Sequence, residues 1–267
     1  EIGPRVPFFA AAGLTFLNWI YGFLILPESL HKEKRRAFEL KRANPIGSLM
    51  ALKKYPLTYG LIASLVCIYI GSHAVQSTWN YFTMGTFGWG EKEVGISLAV
   101  VGLLVGLVQG LLIRYTIPKF GQKKSLYYGL ALYATGMLLF GMASQGWMMF
   151  VFLIPYCLGG IGMPALQGII SSQVPSNEQG ELQGAMTGIM SLTSIIGPPL
   201  MANTYAYFTD DAAPFHFAGA AFILGALFFI VSLLLAMRTL KNKELHVMAA
   251  PVVIQSTHDN EQDNPVV

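Results

Sequence analysis

The sequence predicts an all-α integral membrane protein built around seven transmembrane helices. Three observations carry that expectation. Seven apolar stretches, near 7–26, 57–76, 94–113, 125–142, 148–169, 182–207 and 215–237, contain no Asp, Glu, Lys or Arg. About 20 such residues cross the ~30 Å hydrocarbon layer, and a charge at its centre costs roughly 2.5–3.5 kcal/mol on insertion scales. At 54% hydrophobic and 12% charged residues, with a mean hydropathy of +0.52, the 267-residue chain is too apolar for an ordinary soluble domain. Finally, 15 of the 17 basic residues lie in three segments, 28–54, 114–124 and the end of the chain. Basic loops resist translocation. Counting spans puts all three segments on one side and Arg5 and Lys92 on the other, so the start is expected outside and the tail in the cytoplasm.

The first stretch opens Pro7-Phe8-Phe9-Ala10-Ala11-Ala12-Gly13, and the last opens Pro214-Phe215-His216-Phe217-Ala218-Gly219-Ala220. The echo suggests equivalent places in a duplicated architecture, of the kind that puts a transport site between two halves. Between the first two stretches, 28–54 reads as a solvated basic connector. Its end, Pro45 to Lys54, has the apolar spacing of a short helix on the headgroup boundary. The second stretch carries His73, the one imidazole well inside a span, expected to be a hydrogen-bonded structural group rather than a proton relay. Trp79 and Asn80 stand at its outer end.

The third stretch places Gly102, Gly106 and Gly110 four residues apart, a flat strip on which a second helix could pack or slide. Gln109 beside it needs a polar partner or a wet cavity, because an unpaired amide is expensive in hydrocarbon. A basic turn, Pro118-Lys119-Phe120-Gly121-Gln122-Lys123-Lys124, leads to the fourth stretch, where Tyr133 lies too deep for an interfacial belt. Gly159-Gly160-Ile161-Gly162-Met163-Pro164 and Gly197-Pro198-Pro199 interrupt the fifth and sixth stretches. Such breaks free backbone groups, tend to border cavities and offer bending points. Between these stretches, Glu178-Gln179-Gly180-Glu181 is expected to cap the following helix, where acids suit the N-terminus. The polar 241–267 reads as a solvated tail.

No enzyme is expected. The chain has no carboxylate pair within a span, no nucleophile elbow, no metal-spaced histidines and no phosphate-cradling glycine loop, so neither metal nor bound cofactor is implied. A net charge of +3 is too small to indicate nucleic acid. Cys67 and Cys157 fall inside spans, where thiols behave as small hydrophobes. Glu1 stands first with no charged leader before the apolar run, so the chain is expected to be the later part of a longer protein.

Several of these segments resemble the tetracycline-efflux branch of the major facilitator superfamily. They are Gly95-Ile96-Ser97-Leu98-Ala99-Val100, the run Gly160 to Gln167, Gln179-Gly180-Glu181-Leu182-Gln183-Gly184, and Ser191 through Pro198. The 119–124 turn is similar to the second-half copy of the family's basic gating loop, and Leu26-Pro27-Glu28-Ser29 to the end of its sixth helix. Trp79 and Gln109 match that branch. Val105 replaces its buried histidine and Tyr133 its buried aspartate. The resemblance implies seven of twelve helices: 1–27 as the last helix of an N-terminal half, 28–56 as linker, and 57–240 as a C-terminal half of six. It further implies export of a small amphipathic compound in exchange for protons, in a bacterial cytoplasmic membrane, together with the absent N-terminal half and with the proton gradient as energy source. On that reading Gln109, Tyr133, Trp79 and Asn80 line the substrate path, and Lys119, Gly121 and Lys123 form the inner gate. Gly102, Gly106, Gly110, Pro164, Gly197 and Pro198 serve packing and bending. A seven-span receptor fits the same topology but lacks its Asp-Arg-Tyr and Asn-Pro-x-x-Tyr motifs, and a transport-inactive half is a further alternative.

Overall fold

The computed structural model describes residues 5–26 and 56–241. The basic connector, its expected surface helix and the tail lie outside the described residues. The chain divides into two units, residues 1–39 and 40–267. In the first, α1 (Val6–Ile25) is a 20-residue helix with Phe16, Trp19 and Phe23 stacked along one side at 5.9 and 5.8 Å.

The second unit is an antiparallel helical bundle. It comprises α2 (Pro56–Phe87), α3 (Glu91–Leu107), α4 (Ile113–Gly141), α5 (Gly146–Leu158), α6 (Gly162–Ser172), α7 (Gln179–Thr209) and α8 (Ala220–Leu240). A π turn, Val108–Leu112, joins α3 to α4, and a 3-10 turn, Gly159–Ile161, joins α5 to α6.

Six stretches among the described residues are long and apolar enough to cross a membrane, one fewer than the seven expected. The expected third and fourth run together in Glu91–Gly141, 51 residues, which at 1.5 Å per residue would be about 75 Å long if straight. It is not straight. Gly121 has φ 76° and ψ 162°, a conformation essentially reserved for glycine. Ser125 Oγ donates to the Thr116 carbonyl at 3.4 Å, and Phe120 meets Tyr128 at 6.0 Å. Residues eight or nine apart cannot approach so closely along one helix axis, so the chain folds back at Gly121.

The core lies where α2, α4 and α8 pack together, with α5, α6 and α7 around them. Phe82, Phe140 and Phe222 meet edge-on or tilted within 5.0–5.8 Å and are almost fully buried. Close crossings depend on glycines that the sequence reading did not single out. A Cβ on Gly129 would overlap the Gly162 backbone, one on Gly136 would stand 2.7 Å from Tyr156 Cα, and one on Gly71 would stand 3.0 Å from the Gly225 carbonyl. Ser64 and Ser232 bind α2 to α8, each hydroxyl donating to the other's carbonyl at 3.1 and 2.9 Å. The expected glycine strip is different: Gly102, Gly106 and Gly110 have nothing within 4 Å of an added Cβ. Large apolar side chains on the same helix, Leu98, Leu103, Leu107 and Leu111, are also exposed. Packing within this unit therefore does not use the strip.

Candidate functional site

Two departures from α-helical geometry meet inside the bundle. The π turn of 108–112 packs on the 3-10 turn of 159–161. Glycine makes the meeting close: a Cβ at Gly160 would stand 3.7 Å from both Tyr133 Oη and Val108 Cγ1. Single π turns are uncommon and cluster at functional places. Gln109 sits in this one, its side chain exposed while neighbouring Val108 is buried. Val108 and the Tyr133 hydroxyl thus flank Gly160, and Gln109 follows Val108 in the turn with its side chain exposed. The π turn escaped the sequence reading, whose only local signal was Gln109 between Gly106 and Gly110.

Tyr133 itself is packed into the core. Its ring stacks on Phe229 at 4.8 Å and 17° and meets Tyr156 edge-on at 5.1 Å. A Cβ on Gly159 would stand 2.7 Å from its Cγ. Trp79 is likewise internal, 4% exposed. Its indole N–H donates to Ser97 Oγ at 3.0 Å and its ring meets Phe140 at 5.2 Å, which fastens α2 to α3. Trp79 therefore lines no open path in this unit, against expectation, because Ser97 satisfies its one polar atom among apolar rings. Asn80, its neighbour, faces outward. The four expected path residues divide into two exposed amides, Gln109 and Asn80, and two aromatics packed within the bundle, Trp79 buried and Tyr133 half-buried.

The expected gate lies at the basic end of the bundle. Lys123 Nζ donates to the Leu240 carbonyl at 2.6 Å, Lys119 lies over the Phe120 ring at 5.7 Å, and Gly121 makes the turn. Gln179 holds the neighbouring loop, its amide donating to the carbonyls of Ser171 and Val174 at 2.8 and 2.7 Å. Glu178 stands at the N-cap of α7 and Glu181 in its first turn, the expected place for acids, and Gln179 ties that entry to the preceding helix. Pro164 falls in the first turn of α6, directly after the 3-10 turn. Gly197 and Pro198 lie within α7, which continues as helix through the break.

His73 departs from expectation. It is 8% exposed and its Nδ1 is buried with no hydrogen-bond partner among the described residues. The imidazole lies against Gly197, where an added Cβ would overlap it. At the outer end, a cavity of about 660 Å³ opens between α2, α4, α7 and the 210–219 loop. Phe82, Thr86, Tyr205, Thr209 and His216 line it. None of the expected site residues reaches it.

A bundle of long, mostly apolar helices, with polar residues at mid-depth and the basic 114–124 turn brought to the end of α8, is a polytopic membrane protein. The chain belongs to the Major Facilitator Superfamily, a family of transporters, whose model matches residues 64–253. Among similar proteins, the class C tetracycline resistance protein of Escherichia coli is 35% identical over 232 residues, 87% of this chain and 57% of that one. The class D protein of Salmonella ordonez is 31% identical over 93% of this chain and 61% of its own length. Hippocampus abundant transcript-like protein 1 of Bos taurus is 25% identical over 77% and 42%. The chain spans about 57% of the first of these relatives. Family membership sets aside the receptor alternative.

Proposed function

We propose that this chain supplies the later helices of a proton-driven exporter of small amphipathic organic compounds. Among known relatives, those named for tetracycline resistance support an export role. The observation that carries the reading is Gln109, an amide presented on an otherwise apolar exposed face at a π turn. An uncharged polar group there favours a second helix bundle or a wet cavity over lipid.

On this reading, the exposed strip of Gly102, Gly106 and Gly110 receives the N-terminal half, and the two halves rock about the contact. Gln109 and Asn80 line the path, with Tyr133 and Trp79 bracing them from within. Lys119, Gly121 and Lys123 close the inner end, and the basic turns face the cytoplasm of a bacterial cell. Energy comes from the proton gradient, without a bound cofactor. Val105 and Tyr133, standing where the tetracycline branch has ionisable groups, favour a substrate other than tetracycline.

Cells lacking their own exporters and expressing the complete protein test this. Accumulation of ethidium or tetracycline should fall, and a protonophore should restore it. Unaltered accumulation across a wide drug panel would contradict export. Residues 1–267 expressed alone should move nothing.

A further inference from the structure

The geometry points to His73 as a proton-carrying residue of the transport cycle, coupled to the Gly197-Pro198-Pro199 break of α7. The inference rests on the proton-exchange reading above and assigns part of that exchange to a residue of this chain.

Three observations converge on this residue. First, among the described residues none of the apolar stretches contains an Asp, Glu, Lys or Arg, the charges of the 51-residue helical stretch lying in its first turn and in the 114–124 turn, and His73 is the one imidazole at depth. Histidine is the side chain whose charge ordinarily changes near neutral pH. Second, its Nδ1 is buried without a partner. Buried polar atoms are nearly always hydrogen-bonded, so an orphan calls for an explanation such as a group that gains and loses a proton. With the ring proton on Nε2, Nδ1 offers a free lone pair, and protonation there makes both nitrogens donors. Third, the ring lies on Gly197, immediately before Pro198 and Pro199. Proline has no N–H, so the carbonyls of Ser194 and Ile195 lose their usual i+4 donors. Acceptors for an imidazolium thus stand within about one helical turn of it.

The surroundings hold little else that titrates. From the elements packed on α2, α8 between Ala220 and Met237 and α6 between Gly162 and Ser172 contribute no titratable side chain; α7 contributes Glu181 at its start and Tyr205 and Tyr207 near its end, α4 beyond its basic turn contributes Tyr127, Tyr128 and Tyr133, and α3 contributes Glu91, Lys92 and Glu93 in its first turn. On α2 itself the neighbours are Cys67, Tyr69 and Tyr81. The charged groups of α3 and α7 stand in their first turns, so no fixed charge within the apolar stretches locks His73 in one state, which leaves its protonation free to follow whichever side has access.

The proton balance is simple. Neutral His73 takes a proton at Nδ1 from water on the outer side, the imidazolium engages the freed carbonyls and draws on the α7 break, and after the bundles rock the proton leaves to water on the inner side. The neutral ring returns to bear on Gly197, and no bond other than N–H is made or broken.

The test uses the complete protein in proteoliposomes, with ethidium or tetracycline as probe, whichever the unsubstituted protein accumulates under an acid-inside gradient. His73→Gln should reduce the ratio of gradient-driven to undriven uptake from about tenfold or more, the size of an ordinary coupling, to near unity, and flatten its pH profile. An unchanged ratio in His73→Gln overturns the role of His73 while leaving proton exchange standing. If the unsubstituted protein itself shows no gradient dependence, the underlying reading fails instead. Should the variant not reach the membrane, deuterium exchange at the His73 ring carbon of the unsubstituted protein, followed by mass spectrometry from pH 5 to 9, decides the matter. A titration midpoint that moves when the probe is added supports the assignment. No titration, or a midpoint indifferent to the probe, overturns it.

Discussion

Lys123 donates from its ammonium to the carbonyl oxygen of Leu240 at 2.6 Å, so the turn after Gly121 closes the C-terminus of the last helix. The last carbonyls of a helix lack intrahelical donors and carry partial negative charge. A lysine arriving from a distant turn satisfies one of them and ties that turn to α8. Replacing it by Ala should cost about 1 kcal/mol, since the site is half exposed and such bonds are weakened by water. Thermal unfolding of the complete protein in detergent should show a midpoint lower by roughly 2–4 °C, with Lys123→Arg largely restoring it.

Gly121 tests the hairpin that joins the two limbs of the 51-residue helical stretch. At φ 76° and ψ 162°, Gly121→Ala should cost about 1–3 kcal/mol. By contrast, Gly102→Ala and Gly106→Ala meet nothing within 4 Å and should leave the unfolding midpoint of an isolated C-terminal half unchanged. In the complete protein the same two changes should slow export at least about fivefold if the strip receives the other half, a loss of coupling-sized energy. Comparing unfolding with drug efflux separates the two effects.

The helix crossings give a sharper stability contrast. Gly136→Ala would drive a Cβ to 2.7 Å from the Tyr156 backbone, and overpacking of this kind costs about 1–3 kcal/mol. Ser64→Ala and Ser232→Ala, measured singly and together, should show a coupling of about 0.6 kcal/mol, typical of buried interhelical hydrogen bonds in membranes. A cycle with zero coupling would mean that the paired hydroxyls of 64 and 232 add nothing beyond packing.

Much of this architecture is legible in the sequence because lipid imposes one rule, the exclusion of charge, over about 20 residues at a time. That rule predicts the helices, and Gly121 within a basic run predicts the turn. It does not predict which face of a helix meets which neighbour. Gly102, Gly106 and Gly110 have the spacing of a packing strip, yet Gly129, Gly136 and Gly71, less regularly placed, make the crossings. Spacing reports that a face is small, while only the fold determines what approaches it. The site divides for the same reason. Trp79 and Tyr133 stand out in apolar stretches as aromatic residues with a polar tip, but Ser97 Oγ accepts the indole N–H hydrogen bond and Phe229 stacks on the phenol ring. The orphaned Nδ1 of His73 was hidden because hydrogen bonding depends on α7, more than a hundred residues away.

Gln109 carries the prediction for the substrate path. Gln109→Leu removes an exposed amide without touching the core, so it should leave unfolding unchanged within about 0.5 kcal/mol. Efflux, or the range of drugs handled, should change. Unaltered efflux of every compound would remove Gln109 from the path.

The activity proposed for the complete protein is exchange of protons for an organic compound. Uptake of ethidium and tetracycline into proteoliposomes, with and without an imposed acid-inside gradient, tests it most directly. The expected result is accumulation of at least one probe, raised about tenfold or more by the gradient and abolished when the gradient is collapsed. Uptake of every probe that is indifferent to the gradient would contradict it.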